Sequence, residues 1–491
     1  MATKLDPHHL VALMNYAFKD KQDGSPRRLD PPLHTLKGGI VDNHETNVRT
    51  IPILDALAHI SVSQKEAQVV AIGLQLDCQK KDIRLTVAEN KKVTDGLVNH
   101  LTKIWRKLQA LSGEYEKNRG GRWDKSQPRS PEMPKEVGLS LKMEIFRDIY
   151  QYSLEKQMRR IDKWSEHLGR FVKELLKRRA SLDLQGVELS LYKAVFALSL
   201  AVRVVSKFHD NPDVQLTESE WESVYFQSIL ANKHVRIVLA DRNEFGCEIL
   251  AQELRDHLSE DPFQLRRALE KLTSLPRHIE TLFGFAHSPR LRPVLRYRLF
   301  TSAVPKKTHT MELPASPEEW KPFLEVACHK RYDFHETHAV ELAERFGSSK
   351  WYLRTRQGNQ WDHVPPFSYI GVSKLSCSAC RIWIEALNDL SGRKFYTRGS
   401  HGKWYWPWGI PRAEGPLVGV IARKVLDEYL ADLVSRKLLR SGSESSGASS
   451  AGAEHGLSDD HEKDAEAVGA AIVQGHGGSR FGVFDAMYPD A

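Results

Sequence analysis

Cysteine is scarce in this chain: five residues among 491, with Cys78, Cys247 and Cys328 scattered singly and Cys377 and Cys380 three apart. So sparse and odd a set argues against a disulfide framework and for a reducing compartment. Long apolar runs are also missing. The longest, Ala194 to Val202, is closed by Lys193 and Arg203, far short of the roughly 20 residues that a bilayer-spanning helix needs. The opening Met-Ala-Thr-Lys-Leu-Asp-Pro has no charged-then-apolar export pattern. No membrane partner is expected, and the expected location is intracellular, cytoplasmic or nuclear. Three catalytic signatures are absent as well: Gly-x-x-x-x-Gly-Lys, Gly-x-Gly-x-x-Gly after a strand, and Gly-x-Ser-x-Gly. Nucleotide hydrolysis, dinucleotide redox and serine hydrolysis are thereby disfavoured. No repeat of fixed period is evident, which argues against a solenoid.

What is present is ordinary in composition, 41% hydrophobic and 27% charged, and long enough for two or three domains with real cores. The net charge of +8 is spread over many segments, so it gives tolerance for anionic partners without marking a nucleic-acid surface. Ser63-x-x-Glu66 is a capping-box pattern, and Ala67, Val70, Ala71 and Leu74 after it predict a helix. Leu97, Leu101, Ile104, Leu108 and Leu111 predict another. Residues 117–134, with Gly120-Gly121 and three prolines, read as an exposed loop and an internal boundary. Leu154, Met158, Ile161, Leu168, Val172 and Leu175 predict one long helix from Lys142 to Ala180. Its other face carries Arg159, Arg160, Lys163, Arg170 and Lys173, either a solvated face or a surface for an anionic partner. Further helices are expected at 188–206, at 218–231 behind the Thr217-x-x-Glu220 box, at 243–258 and at 263–285.

The expected fold class is therefore α+β and multidomain, with an all-helical N-terminal region over 1–304 that could present a surface to a protein partner. Prolines and lysines mark a linker at 305–318. Residues 319–440 read as α/β-like: strands at Tyr369–Ser373 and Lys394–Arg398, a helix at Arg381–Leu390, and an amphipathic helix at Leu417–Leu439. Ser, Gly, Ala and acidic residues fill 441–491, expected as a disordered tail.

The strand candidate Tyr369-Ile370-Gly371-Val372-Ser373-Lys374 runs into Cys377-Ser378-Ala379-Cys380 and then an amphipathic helix. Two thiolates at a helix start are half of a zinc site, and the helix dipole favours them. Redox chemistry is the weaker reading, because thioredoxin-like pairs sit in a different βαβ setting. Upstream lies His335-Glu336-Thr337-His338-Ala339-Val340-Glu341, a helix start that offers imidazole and carboxylate. Downstream, Arg398-Gly399-Ser400-His401-Gly402-Lys403 leads to Trp404, Tyr405, Trp406 and Trp408, a mixture able to stack bases and hold phosphates or, more plainly, to pack on a sheet edge.

Together these motifs, over roughly residues 325–415, resemble the zinc-dependent nucleotide and nucleic-acid deaminase superfamily, most closely a branch of fungal deaminase-like proteins. The resemblance implies a cytidine-deaminase-like α/β/α sandwich, with zinc held by His338, Cys377 and Cys380. In the superfamily a zinc-activated water attacks the amino-bearing carbon of a base, while a glutamate two residues after the histidine shuttles the proton. Here that position is Val340. The nearby acids are Glu341 and Glu336, and on a helix one residue of offset turns a side chain by about 100°. His401, Lys403 and Trp404 are the expected pocket rim, His401 alternatively a substituted ligand. The ligand implied is a nucleobase, nucleotide or nucleic acid. The competing expectation is a catalytically inactive deaminase-fold protein acting as an interaction or scaffold module.

Overall fold

The computed structural model describes residues 5–17, 44–90, 92–118, 136–179, 186–211, 213–240, 265–289, 291–304, 307–311, 313–327, 335–346, 351–355, 366–391, 395–406, 408–409 and 416–435. Helices α1 (Pro7–Ala17) and α2 (His44–Ile60) precede a hairpin of β1 (Val70–Asp77) and β2 (Asp82–Glu89). Helices α3 (Asp95–Lys117), α4 (Leu139–Tyr152), α5 (Leu154–Arg179), α6 (Gly186–Val205), α7 (Glu218–Ala240), α8 (Leu265–Leu272) and α9 (Ser274–His287) follow. The chain continues through β3 (Arg298–Ala303), β4 (Lys307–Met311), α10 (Pro317–Ala327), α11 (His335–Phe346), β5 (Trp351–Thr355), β6 (Gly371–Val372), α12 (Ser378–Leu390) and α13 (Pro416–Ser435). The fold is a helix-rich α+β one with a small mixed four-stranded sheet.

Helix starts follow their local chemistry. Thr94 caps α3, its hydroxyl accepting from Leu97 N at 3.2 Å, and Leu97, Leu101, Ile104, Leu108 and Leu111 are buried as their spacing predicts. At α7 the box closes reciprocally: Thr217 N donates to Glu220 Oε2 at 2.8 Å, and Glu220 N to Thr217 Oγ1 at 3.3 Å. The single helix expected over 142–180 is two, α4 and α5, interrupted at Ser153 alone. Ser153 N still donates to Ile149 O and Gln157 N to Ser153 O, both at 3.0 Å. Likewise the helix expected over 263–285 restarts after Thr273, and Pro276, which lacks an N–H, falls in the first turn of the new helix, where that donor is not needed. The helix expected at 243–258 and the tail 441–491 lie outside the described residues, as do positions 119–134 of the expected loop.

The all-helical N-terminal region is overturned: β1, β2 and β3 all fall within 1–304. The helix expected after Ser63-x-x-Glu66 is strand β1. Ser63 N and Gln64 N both donate to Gln68 Oε1 at 2.8 Å, and Ala67 takes a positive φ of 57° that no helix continues through. Val70, Ile72 and Leu74 are then buried in alternation. Val70 and Leu74 suit periods of two and four alike, and strand pairing decides between them. The expected linker 305–318 contains β4, which pairs antiparallel with β5 from Lys307↔Thr355 to Met311↔Trp351.

The four-stranded sheet runs β3-β2-β1-β6. β1 and β2 are antiparallel from Val70↔Glu89 to Asp77↔Asp82, and β3 is parallel to β2. β6, just before the cysteine pair, is antiparallel to β1 through Ile72↔Gly371 and Ala71↔Val372. Two hydrogen bonds extend the join: Ser373 N to Val70 O at 2.9 Å and Phe367 N to Leu74 O at 2.8 Å. A first core gathers α2, the sheet and helices α3–α9, and includes Tyr369 and Tyr396. A second gathers Leu10–Met14 of α1 with Trp320, Leu342, Phe346, Ile382, Trp404 and Val425.

Candidate functional site

The cysteine pair stands where the sheet hands the chain to α12. Cys377 is the N-cap residue, with φ −76° and ψ 165°, and its Sγ accepts from Cys380 N at 3.4 Å. Both thiols are half-buried. The preceding strand is fixed by α2: Asp55 accepts from Tyr369 Oη at 2.8 Å and from Val372 N at 3.0 Å. Gly371 is what lets α2 come so close, since a Cβ there would sit 2.3 Å from the Leu54 carbonyl carbon and oxygen. Burial raises the Asp55 carboxyl to about 6, against these two hydrogen bonds and the charge of Arg398.

Residues 395–403 run beside this segment. The strand expected at Lys394–Arg398 is reduced to parallel bridges, Tyr369↔Tyr396 and Ser376↔Ser400. Ser376 N donates to Gly399 O at 3.0 Å, Ser400 Oγ to Ser376 O at 2.9 Å, and Ser378 N to Lys403 O at 3.0 Å. The last of these ties the first turn of α12 to the loop. Gly399 and Gly402 take φ of 118° and 73°, the left-handed region the turn requires. Lys403 N donates to His401 Nδ1 at 3.0 Å, which leaves Nε2 as the protonated nitrogen of the neutral ring. Burial, then the Lys403 charge, holds His401 below its ordinary 6.5.

Tyr405 meets the His401 ring edge-on at 5.3 Å. Burial and then the Cys377 charge raise its phenol. Cys377 itself is pushed well above its ordinary 9.0, first by its hydrogen bond with Cys380, then by burial and the Cys380 charge. Two thiols that oppose each other's ionisation, set at a helix N-terminus, are chemically suited to a soft divalent cation, which would ionise both.

His401 and Lys403 are half-buried beside the pair, as rim residues would be. Trp404, expected on the rim, is only 1% exposed and belongs to the second core, whereas its neighbour Tyr405 is 49% exposed. His338 lies on α11, its ring edge-on to Tyr16 of α1 at 5.6 Å. Among the described residues no three His, Cys, Asp or Glu side chains are close enough to share a metal ion. On α11, Ala339, Leu342 and Phe346 face inward, while Val340 is 43% exposed and Glu341 is exposed too. The helix is continuous, and no bulge carries Glu341 inward. The side chains of His335 and Glu336 lie outside the described residues.

Asn15 and Tyr16 of α1 are site residues that sequence reasoning missed. Asn15 Nδ2 donates to Trp404 O at 2.8 Å, and its Oδ1 accepts from Arg345 Nη2 of α11 at 3.1 Å. One amide so joins the histidine-bearing helix to the rim loop. No local signal could mark a contact spanning more than 300 residues. Tyr405 was visible within its aromatic run, but only the alternation that buries Trp404 singles it out.

The OTT_1508_deam family model, a deaminase-like family, matches residues 337–412, a stretch that contains His338, the thiol pair and the rim loop. Neither the curated proteins nor the solved structures gave a match. The C-terminal part of the chain therefore contains a deaminase-like domain.

Proposed function

We propose that this part of the chain is a zinc-holding deaminase-fold module, of the cytidine-deaminase-like sandwich type, that no longer catalyses hydrolytic deamination and serves as an interaction or scaffold unit. The observation that carries it is Val340, an exposed aliphatic residue where a proton-carrying glutamate would be needed. Loss of a general acid/base typically lowers rate by about 10²–10⁴-fold. Zinc is the ion proposed for Cys377 and Cys380 because their donors are soft thiols, with His338 as the ligand the motif implies; bound there, it would supply Lewis acidity or plain cross-linking. The ligand class implied by the family is a nucleobase, nucleotide or nucleic acid, and the helical region is the proposed surface for a protein partner.

Glu341 supports a second reading, a hydrolytic deaminase with this residue, or failing it Glu336, as proton carrier. Glu341 is next to Val340 and makes no ion pair among the described residues.

Elemental analysis of protein purified without added metal, beside Cys380→Ser, tests the metal. About one zinc per chain, lost in the variant, is expected; a folded wild type without zinc would end the metal reading. Ammonia release from cytidine and adenosine substrates then separates the two functions. Silence of the wild type is expected. Release that Glu341→Gln abolishes would establish the hydrolytic reading instead.

A further inference from the structure

A cluster of cationic side chains gathers near the segments that carry the thiol motif and plays no part in the proposed function. Helix α5 contributes Lys156, Arg159 and Arg160, α8 contributes Lys271, and the segments flanking the cysteine motif contribute Lys374 and Arg398. Lys156 Nζ and Arg159 Nη1 turn the same way, donating to the Lys65 carbonyl at 3.3 and 3.2 Å. Among the described residues, Arg160 donates to neutral groups, Gln157 Oε1 and His59 Nε2, each at 3.3 Å. Lys271, Lys374 and Arg398 make no ion pair among the described residues.

The charges are close enough to act on one another. Lys374 feels Arg159 and Arg160, Lys156 feels Lys374 and Lys271, and Lys271 feels Arg160 and Arg398. Desolvation, and then these neighbours, hold the half-buried Lys156 down to about 8. Among the described residues, three acids are seen to act on these six cations. Glu66 pairs with Arg159 at 3.0 Å, Glu270 sits beside Lys271, and Asp55 is bound to Tyr369 and Val372. Elsewhere this protein neutralises its cations: Lys107 has both Asp148 at 2.7 Å and Glu144 at 3.1 Å, and Lys103 has Asp148 at 2.9 Å. A cluster of like charges, left partly desolvated, is unfavourable unless an anion completes it.

We propose that this cationic cluster binds a compact, multiply phosphorylated anion whose phosphates bridge α5, α8 and the loops around Lys374 and Arg398. Compactness follows from the layout, since the cations converge from four chain segments instead of following one extended face. Guanidinium forks and mobile ammonium groups together match clustered phosphate oxygens. The site stands whether or not the thiol pair holds zinc. Two sources share this chemistry, an inorganic oligophosphate and the phosphate tail of a nucleotide.

Calorimetric titration of the full chain at low salt, with tripolyphosphate and separately with adenosine triphosphate, tests the proposal. Saturable binding of tripolyphosphate that weakens as salt rises is expected. Lys271→Gln/Lys374→Gln should weaken it by about tenfold or more. Both side chains are exposed, so the variant should keep the wild-type circular dichroism and melting temperature, and Arg160→Gln gives an independent check from a half-buried member of the cluster. Tighter binding of the nucleotide than of tripolyphosphate, with the same variant dependence, identifies a nucleotide tail; equal binding identifies the phosphates alone. The proposal is overturned if neither ligand binds, if binding ignores both variants, or if a single-stranded oligonucleotide binds through the same lysines and tripolyphosphate does not displace it.

Discussion

Single residues set the geometry around the thiol pair. Gly371 is the tightest: with Leu54 backbone atoms 2.3 Å from where a Cβ would stand, a methyl group must push α2 away from β6. Asp55 holds both Tyr369 and Val372 across that same contact, so the displacement would also break two hydrogen bonds. Gly371→Ala is therefore expected to lower stability by about 2–3 kcal/mol. Urea unfolding would show this as a lower midpoint at unchanged slope, and a midpoint within error of wild type would contradict the close approach. Position 340 works in the opposite sense. Its valine is exposed and lies outside the core.

At the scale of elements, the deaminase-like segment is not self-sufficient. β6 is two residues long and owes its pairing to β1, some 300 positions upstream. α11 and the rim loop are joined by Asn15 of α1, and Leu10–Met14 fill the core beneath them. A fragment spanning 319–440 would keep α12 and α13, linked by Arg381 with Glu428, but would expose an unpaired strand and an open core. It is expected to lack dispersed amide and methyl NMR signals under conditions where the full chain gives them. A well-dispersed spectrum from the fragment would mean that α1 and the hairpin are dispensable additions.

Across the whole molecule, buried imidazoles make the first core sensitive to acid. His278 is buried and His59 half-buried, with ring centroids 4.2 Å apart. Burial holds both well below their ordinary 6.5, followed for His59 by the His278 charge and for His278 by Arg277. The unfolded chain takes up protons near pH 6.5 and the folded chain does not. Stability is thus lost as pH falls below 6.5, by up to about 1.4 kcal/mol per pH unit for each such group. Asp55, raised to about 6, and Glu280, raised to about 7, oppose this, because their folded forms bind protons more readily. Comparison of wild type with His278→Gln isolates the histidine: the urea midpoint should fall more steeply between pH 7 and 5 in the wild type. Equal slopes would show that His278 is protonated in the fold.

Local chemistry was legible in the sequence wherever it sufficed: the Thr217–Glu220 box, the apolar seam of α3, the thiol pair at the start of α12, and the departure at Val340. Those features depend on neighbours within a turn or two of chain, which the sequence states directly. Tertiary structure alone decided the rest. Val70–Asp77 became a strand because β2 and β6 supplied partners for its backbone. Trp404 went inward and Tyr405 outward because the loop is pinned by Ser376, Ser378 and Asn15. His338 came to rest against Tyr16, and Lys374 came close enough to the basic face of α5 to feel Arg159 and Arg160. Each of these outcomes is a contact between residues far apart along the chain, whose energy depends on burial and pairing that no local spacing encodes.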